Sequence, residues 1–212
     1  MFKGEPGTGK TFCAHAVAGE LGRPLLEAAV PALLSKWVGE SERNLANLFR
    51  TAHEHGAVLF LDECDAVLAE RGGDGARHDD RLVGVFLRQL ERHDGLVLLA
   101  TNREGILDKA LSRRLAYRVA FPVPDAAGRA AIWRGLLPAT VPTDGTVDPE
   151  ALGRRFALTG GRIRNAVFKA AFRAASRGGV LTGVLLESAA VEEVAAAGGN
   201  GKGRVGFGVE VA

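Results

Sequence analysis

Cysteine is scarce in this chain: there are two in 212 residues. Cys13 and Cys64 show neither a C-x-x-C nor a metal-like spacing, so no redox or zinc motif is in view and both read as reduced packing residues inside core elements. Long apolar runs are also missing, and none approaches the roughly eighteen uncharged residues that a membrane span needs. A glycine-rich loop already begins at Gly4, so no signal peptide is expected. Charge of one sign is lacking too. The 27 Lys and Arg residues nearly balance 25 Asp and Glu, for a net charge of +2, and the basic residues are spread along the chain, so no bulk attraction to nucleic acid is implied. A reducing, cytoplasmic address is the expectation.

What remains is an ordinary globular composition, 47% hydrophobic and 25% charged, with length for one substantial core and a smaller appended unit. No internal repeat is evident. The first half alternates short apolar runs with amphipathic stretches, the pattern of a parallel sheet with crossover helices. Helices are expected over Gly9 to Leu21, from a cap at Ser41 to about His55, and along Leu82, Val83, Phe86, Leu87 and Leu90. Strands are expected at Leu25 to Val30, Val58 to Leu61, Leu96 to Ala100 and Tyr117 to Phe121, the middle two apolar throughout and so buried on both faces. Pro122 and Pro124 mark a change of texture. Beyond them helices are expected at Asp125 to Leu136, Pro149 to Phe156, Arg162 to Arg177 and Thr182 to about Ala197, with Asp125 and Asp148 as caps. Residues 198–212 hold six glycines and read as a disordered tail.

Two motifs carry chemistry. Gly4-Glu5-Pro6-Gly7-Thr8-Gly9-Lys10-Thr11 fits G-x-x-x-x-G-K-S/T, in which backbone N–H groups curl around phosphate oxygens and the following helix adds its positive dipole end. Lys10 would reach the β and γ phosphates and Thr11 would place its hydroxyl on Mg2+. About fifty residues on, four apolar residues deliver Asp62 and Glu63 to the C-terminal end of a strand, the edge where parallel sheets bind ligands. Asp62 is suited to the Mg2+ shell, and Glu63 to orienting or deprotonating an attacking water. The plainer alternatives are a glycine-rich turn and an Asp-Glu pair that caps a helix.

With these and further motifs in order, the chain resembles an AAA ATPase of the P-loop NTPase class from Gly4 to roughly Ala197. Lys36-Trp37-Val38-Gly39-Glu40-Ser41-Glu42 resembles the family's first pore loop, which grips a substrate polypeptide in a ring's central channel. Ala100-Thr101-Asn102-Arg103 resembles sensor one, so the resemblance implies that Asn102 positions the attacking water; otherwise it caps a turn. Asp108 to Phe121 resembles the arginine-finger segment, with Arg113 and Arg114 both candidates to reach a neighbour's γ-phosphate. Thr159-Gly160-Gly161-Arg162-Ile163-Arg164-Asn165 resembles the start of the sensor-two helix, which makes Arg164 an ATP contact. Phe12, following Thr11, joins the expected nucleotide-binding set.

The resemblance implies an α/β core over residues 1–122 with a five-stranded parallel sheet of order 5-1-4-3-2, a helical lid over 123–197, and MgATP as substrate and cofactor. It also implies a homo-oligomeric ring, hexameric in the family, that remodels or threads a protein. Where relatives have a complete strand and an adenine-contacting segment before the loop, this chain has only Met1, Phe2 and Lys3, so a truncated first strand is expected. The glycine-rich end stands where some relatives carry a ring-stabilising helix. Three alternatives stay open: a truncated nucleotide-binding module with little or no turnover, a DNA-side AAA-plus ATPase suggested by Ser112-Arg113-Arg114, and a helicase-like protein suggested by Asp62-Glu63-Cys64-Asp65.

Overall fold

Val58, Leu59, Phe60 and Leu61 are each fully buried, and because successive strand residues point to opposite faces, these four organise two separate apolar layers. The computed structural model describes residues 1–33, 39–65, 76–102, 113–137, 140–176 and 178–198, with the backbone alone over 76–81. The chain divides into two compact units, residues 1–122 and 123–212.

The first unit holds five strands, β1 (Phe2–Gly4), β2 (Leu25–Ala29), β3 (Val58–Asp62), β4 (Val97–Thr101) and β5 (Val119–Phe121). They form one sheet in the order β2-β3-β4-β1-β5, with every pairing parallel. This is the expected order read from its other edge. The described helices of the unit are α1 (Lys10–Glu20), α2 (Val30–Leu33), α3 (Glu40–Glu54) and α4 (Ala76–Arg92). Leu59, Leu61 and Leu99 pack with Leu45, Phe49, Ala52 and Phe86 of α3 and α4, whereas Val58, Phe60, Leu98 and Ala100 pack with Ala14 and Ala18 of α1. A sheet covered on both faces accounts for the unbroken apolar runs in the sequence.

Short as it is, β1 lies between β4 and β5, and the ladder extends one residue beyond it: the Met1 amino nitrogen donates to Tyr117 O at 2.7 Å and Val119 N donates to Met1 O at 2.8 Å. The last strand is therefore shorter than the expected Tyr117 to Phe121, although Tyr117 still offers its carbonyl to the ladder. Helix α3 starts earlier than anticipated. Gly39 is its N-cap at φ 83°, and Glu40 and Glu42 occupy the first turn, where acidic side chains complement the dipole. Ser41 is not the cap; it is buried within that turn.

The second unit contains α5 (Ala126–Leu136), α6 (Pro149–Arg155), α7 (Gly160–Ala175) and α8 (Gly183–Gly198). Trp133, Leu152, Phe156, Ile163, Val167 and Leu186 lie in its core, with alanines of α7 and α8 between them. Asp125 Oδ1 accepts from Gly128 N at 2.7 Å and Asp148 Oδ1 accepts from Ala151 N at 2.9 Å; both are N-caps, as their position before an amphipathic run predicts. Lys169 of α7 lies 2.7 Å from the buried Glu193 carboxylate of α8. The expected tail, after Gly198 at the end of α8, lies outside the described residues. So do Lys36, Trp37 and Val38 of the expected pore-loop segment, whose remaining residues, Gly39 to Glu42, are the cap and first turn of α3.

Candidate functional site

The loop from Gly4 to Gly9 joins the C-terminal end of β1 to the start of α1, so its backbone amides gather at a strand end and a helix N-terminus together. Gly4 passes so close to β5 that a Cβ there would stand 2.2 Å from Phe121 O, which no side chain tolerates. Gly9 caps α1 at φ 102° without a side-chain hydrogen bond, a conformation that favours glycine and leaves the first amides of α1 free of a capping side chain. Thr8 Oγ1 donates back to Glu5 O at 2.8 Å, closing the turn that carries Pro6 and Gly7.

Lys10 is nearly buried. Its ammonium donates to Gly4 O at 2.7 Å, Glu5 O at 2.9 Å and Asn102 Oδ1 at 2.7 Å, which engages all three of its protons. Burial pulls its pKa below the ordinary lysine value, and Asp62 and Asp65 oppose that pull. One cation therefore ties the loop to the end of β4. On the adjacent strand end, Thr11 Oγ1 lies 3.4 Å from Asp62 Oδ2, and Asp62 Oδ1 accepts from Glu63 N at 2.7 Å.

Glu63 has φ 53°, the one non-glycine residue with positive φ among those described. Its neighbour explains why. Cys64 is fully buried, with its N–H donating to Ala100 O at 3.0 Å and its thiol to Leu61 O at 3.1 Å. The backbone must reverse within one residue to carry Cys64 inward after Asp62, and Glu63 absorbs that reversal with its side chain turned to solvent. Burial pushes the Cys64 thiol up to about 12, and both cysteines are free.

Sequence reasoning assigned no role to Asp65, yet its carboxylate accepts from the Thr101 hydroxyl and lies within electrostatic reach of Lys10. The signal was present as the third acid of Asp62-Glu63-Cys64-Asp65, two residues beyond the one expected to act. Thr101, at the end of β4, is itself buried, so this bond joins the ends of β3 and β4 beneath the site.

Among the predicted residues, Lys10, Thr11, Asp62, Glu63 and Asn102 thus come together at the C-terminal edge of the sheet, with Gly4 to Gly9 beside them. Phe12 is 80% exposed on α1. Arg113 and Arg114 lie in a turn ahead of β5; Arg113 is exposed, and Arg114 Nε donates to Glu91 Oε1 at 2.6 Å. Arg164 is exposed in the first turn of α7, in the second unit.

The Thr11 hydroxyl and Asp62 carboxylate are hard oxygen donors, the kind Mg2+ selects. No group of three or more His, Cys, Asp or Glu able to hold a metal occurs among the described residues. A divalent ion at Thr11 and Asp62 would consequently draw most of its shell from phosphate and water oxygens, which suits Mg2+ at a nucleotide.

A parallel sheet of this order, with a glycine loop running from β1 into a helix and two carboxylates at the end of β3, one strand removed across β4, defines a P-loop nucleotide-binding domain. Comparison with known proteins specifies it further. The family model for "ATPase family associated with various cellular activities (AAA)" matches residues 1–123, more than half of the chain, and the chain belongs to the AAA ATPase family. It is 42% identical to the cell division cycle protein 48 homolog of Archaeoglobus fulgidus, in an alignment of 139 residues covering 62% of this chain and 19% of the relative. Against the ATP-dependent zinc metalloprotease FtsH 1 of Salinibacter ruber it is 36% identical over 189 residues, 84% of this chain and 27% of the relative. Against the 26S proteasome regulatory subunit 10B of Dictyostelium discoideum it is 34% identical over 164 residues, 73% of this chain and 42% of the relative. The chain spans less than half the length of each.

Proposed function

We propose that this chain is an ATP-hydrolysing module that works as a ring of copies and drives the remodelling or threading of a protein substrate. The observation that carries the reading is the convergence of Lys10, Thr11, Asp62, Glu63 and Asn102 at one edge of the sheet, with Lys10 bonded to Asn102 and Thr11 beside Asp62. The amides of Gly7 to Lys10 bind phosphate oxygens and the Lys10 ammonium exchanges its bonds to Gly4 O and Glu5 O for the β and γ phosphates. Thr11 and Asp62 would hold Mg2+, which would offset the charge of the phosphate groups.

Glu63 orients a water and accepts its proton as the water oxygen attacks the γ-phosphorus. The bond from that phosphorus to the β,γ-bridging oxygen breaks, releasing ADP and phosphate. Asn102, fixed at the end of β4, positions the same water. An arginine from a neighbouring copy meets the transition-state charge. Trp37, with Lys36, Val38 and Gly39, grips the polypeptide, a role for which an aromatic side chain offers large contact area at low conformational-entropy cost. The FtsH and proteasome relatives carry names that fit work on proteins, and that supports the choice of substrate class.

The test is ATPase rate against protein concentration. A steep rise in specific activity is expected as copies complete one another's sites. A specific rate that stays flat with concentration contradicts the ring, and bound nucleotide without any turnover favours a binding module instead.

A further inference from the structure

The ladder between β3 and β4 slips at its C-terminal end. Leu59 N donates to Leu96 O at 3.0 Å, and the register runs in step through Leu59↔Val97, Phe60↔Leu98 and Leu61↔Leu99. In a parallel pair every second amide of the strand follows the same rule, so the donor due at Ala100 O is Glu63 N. Cys64 N stands there instead, at 3.0 Å. One residue has entered this side of the ladder without a counterpart on β4, which makes a β-bulge, and the residue displaced is Glu63. Its N–H turns back to Asp62 Oδ1 at 2.7 Å, and its backbone is left-handed at φ 53°. A residue with a long side chain keeps such a conformation only where its surroundings hold it.

Two bonds close the bulge on its far side. The Cys64 to Ala100 backbone bond would form with almost any residue, whereas the next one needs particular side chains: the Thr101 hydroxyl donates to the Asp65 carboxylate. Thr101 is buried and Asp65 half-buried, so water competes little for this bond. Asp65 lies two residues after Glu63, and Thr101 lies one residue before Asn102. A single bond thus relates the two groups that act on the attacking water. Asn102 is held from its other side as well, by the Lys10 ammonium at 2.7 Å from its Oδ1.

We propose that Asp65 is a positioning residue for hydrolysis: through Thr101 it closes the bulge that presents Glu63 and sets the interval between Glu63 and Asn102. This rests on the hydrolytic reading above. Asp65 touches neither water nor phosphate in this role. Its contribution is geometric, because a base and a second water ligand borne on different strands act together only if those strand ends keep a fixed separation.

The experiment compares variants of the full chain at one concentration where the parent is assembled, reading kcat and KM for MgATP together with MgATP affinity by titration calorimetry. Thr101→Val and Asp65→Ala are each expected to lower kcat on the order of tenfold to a hundredfold with affinity within about threefold of the parent, the scale on which misplacing a reacting group by an ångström acts. The double variant should be no slower than the slower single one, since both changes remove the same bond. Thr101→Ser keeps the hydroxyl and Asp65→Asn keeps an acceptor oxygen, and each should return kcat to within about threefold of the parent. Should Val disturb the buried position of Thr101, the Asp65→Ala and Asp65→Asn pair decides alone. Parent-like kcat in a bond-deleting variant, or losses that add in the double variant, overturns the proposal. So does an Asp65→Asn chain as slow as Asp65→Ala, which would make Asp65 a counter-charge to Lys10, and so does a joint loss of kcat and affinity, which would report a loosened fold. Glu63→Gln, run alongside, keeps this apart from the hydrolytic reading. If that variant turns over at the parent's rate, the hydrolytic reading falls; if it is inactive beside an undisturbed Thr101→Val chain, only the role of Asp65 falls.

Discussion

Glu63 holds a left-handed backbone that an L-residue with a long side chain adopts at an expense of roughly 1–2 kcal/mol. The sequence could name the residue, since an acid following Asp62 at a strand end is a recognisable pattern, but not this conformation. That depends on where Cys64 goes, and Cys64 is drawn inward by core packing which periodicity does not report. Asn102 was legible in type and position, yet its bond to Lys10 spans 92 positions in the chain, a separation across which a single sequence gives no register. Asp65 was overlooked for the same reason: its partner, Thr101, belongs to another strand. Lys10 supplies a first prediction. Lys10→Ala should weaken ATP binding at least about tenfold, since hydrogen bonds to charged groups contribute about 1.5–3 kcal/mol each; titration calorimetry with MgATP measures it, and parent-like affinity would remove Lys10 from the site.

His93 gives a prediction in pH. Its ring packs edge-on against Phe49 at 5.4 Å and faces His53 at 6.4 Å, and its Nε2 is buried without a hydrogen-bond partner among the described residues. Burial, then the nearby His53, lowers its pKa below the ordinary 6.5, while Asp94 opposes them. The unfolded chain therefore takes up a proton near pH 6.5 that the folded chain resists. Stability from the neutral ring is fully present above that value and declines as pH falls below it. His93→Gln should flatten the loss of urea-unfolding free energy between about pH 7.5 and 5.5; an unchanged slope would place the acid sensitivity elsewhere.

At the scale of elements, strands buried on both faces were the most legible, because Val58 to Leu61 and Leu96 to Ala100 have no polar interruption. Their ends moved by a residue, as hydrogen bonding rather than hydropathy sets them. Caps were read well where an Asp precedes the helix and poorly where a glycine does: Asp148 was identifiable, whereas Gly39 displaced Ser41 through backbone conformation alone. Asp148→Ala should destabilise the second unit by about 1 kcal/mol. Urea unfolding followed by the emission of buried Trp133, in a Trp37→Phe background, checks this; an unchanged midpoint would mean that the bond to Ala151 N is not what starts α6.

For the whole molecule, family membership and sheet order were both within reach of the sequence, because several motifs fall in one order along the chain. What the proposed ring acts on was not. The module covers 19 to 42% of the relatives described above, and recognition of a substrate is commonly carried by regions grafted onto such a core. Among the described residues no helix is long and apolar enough to cross a membrane.

The central claim is that MgATP lies against the Gly4 to Thr11 loop and is cleaved by a water that Glu63 activates. Exchanging the Glu63→Gln chain into γ-labelled MgATP, separating protein from free nucleotide and identifying what stays bound tests both parts at once. The account predicts uncleaved ATP on the variant and ADP on the parent treated alike. Labelled phosphate released from the variant at the parent's rate, or no nucleotide retained by either chain, would contradict it.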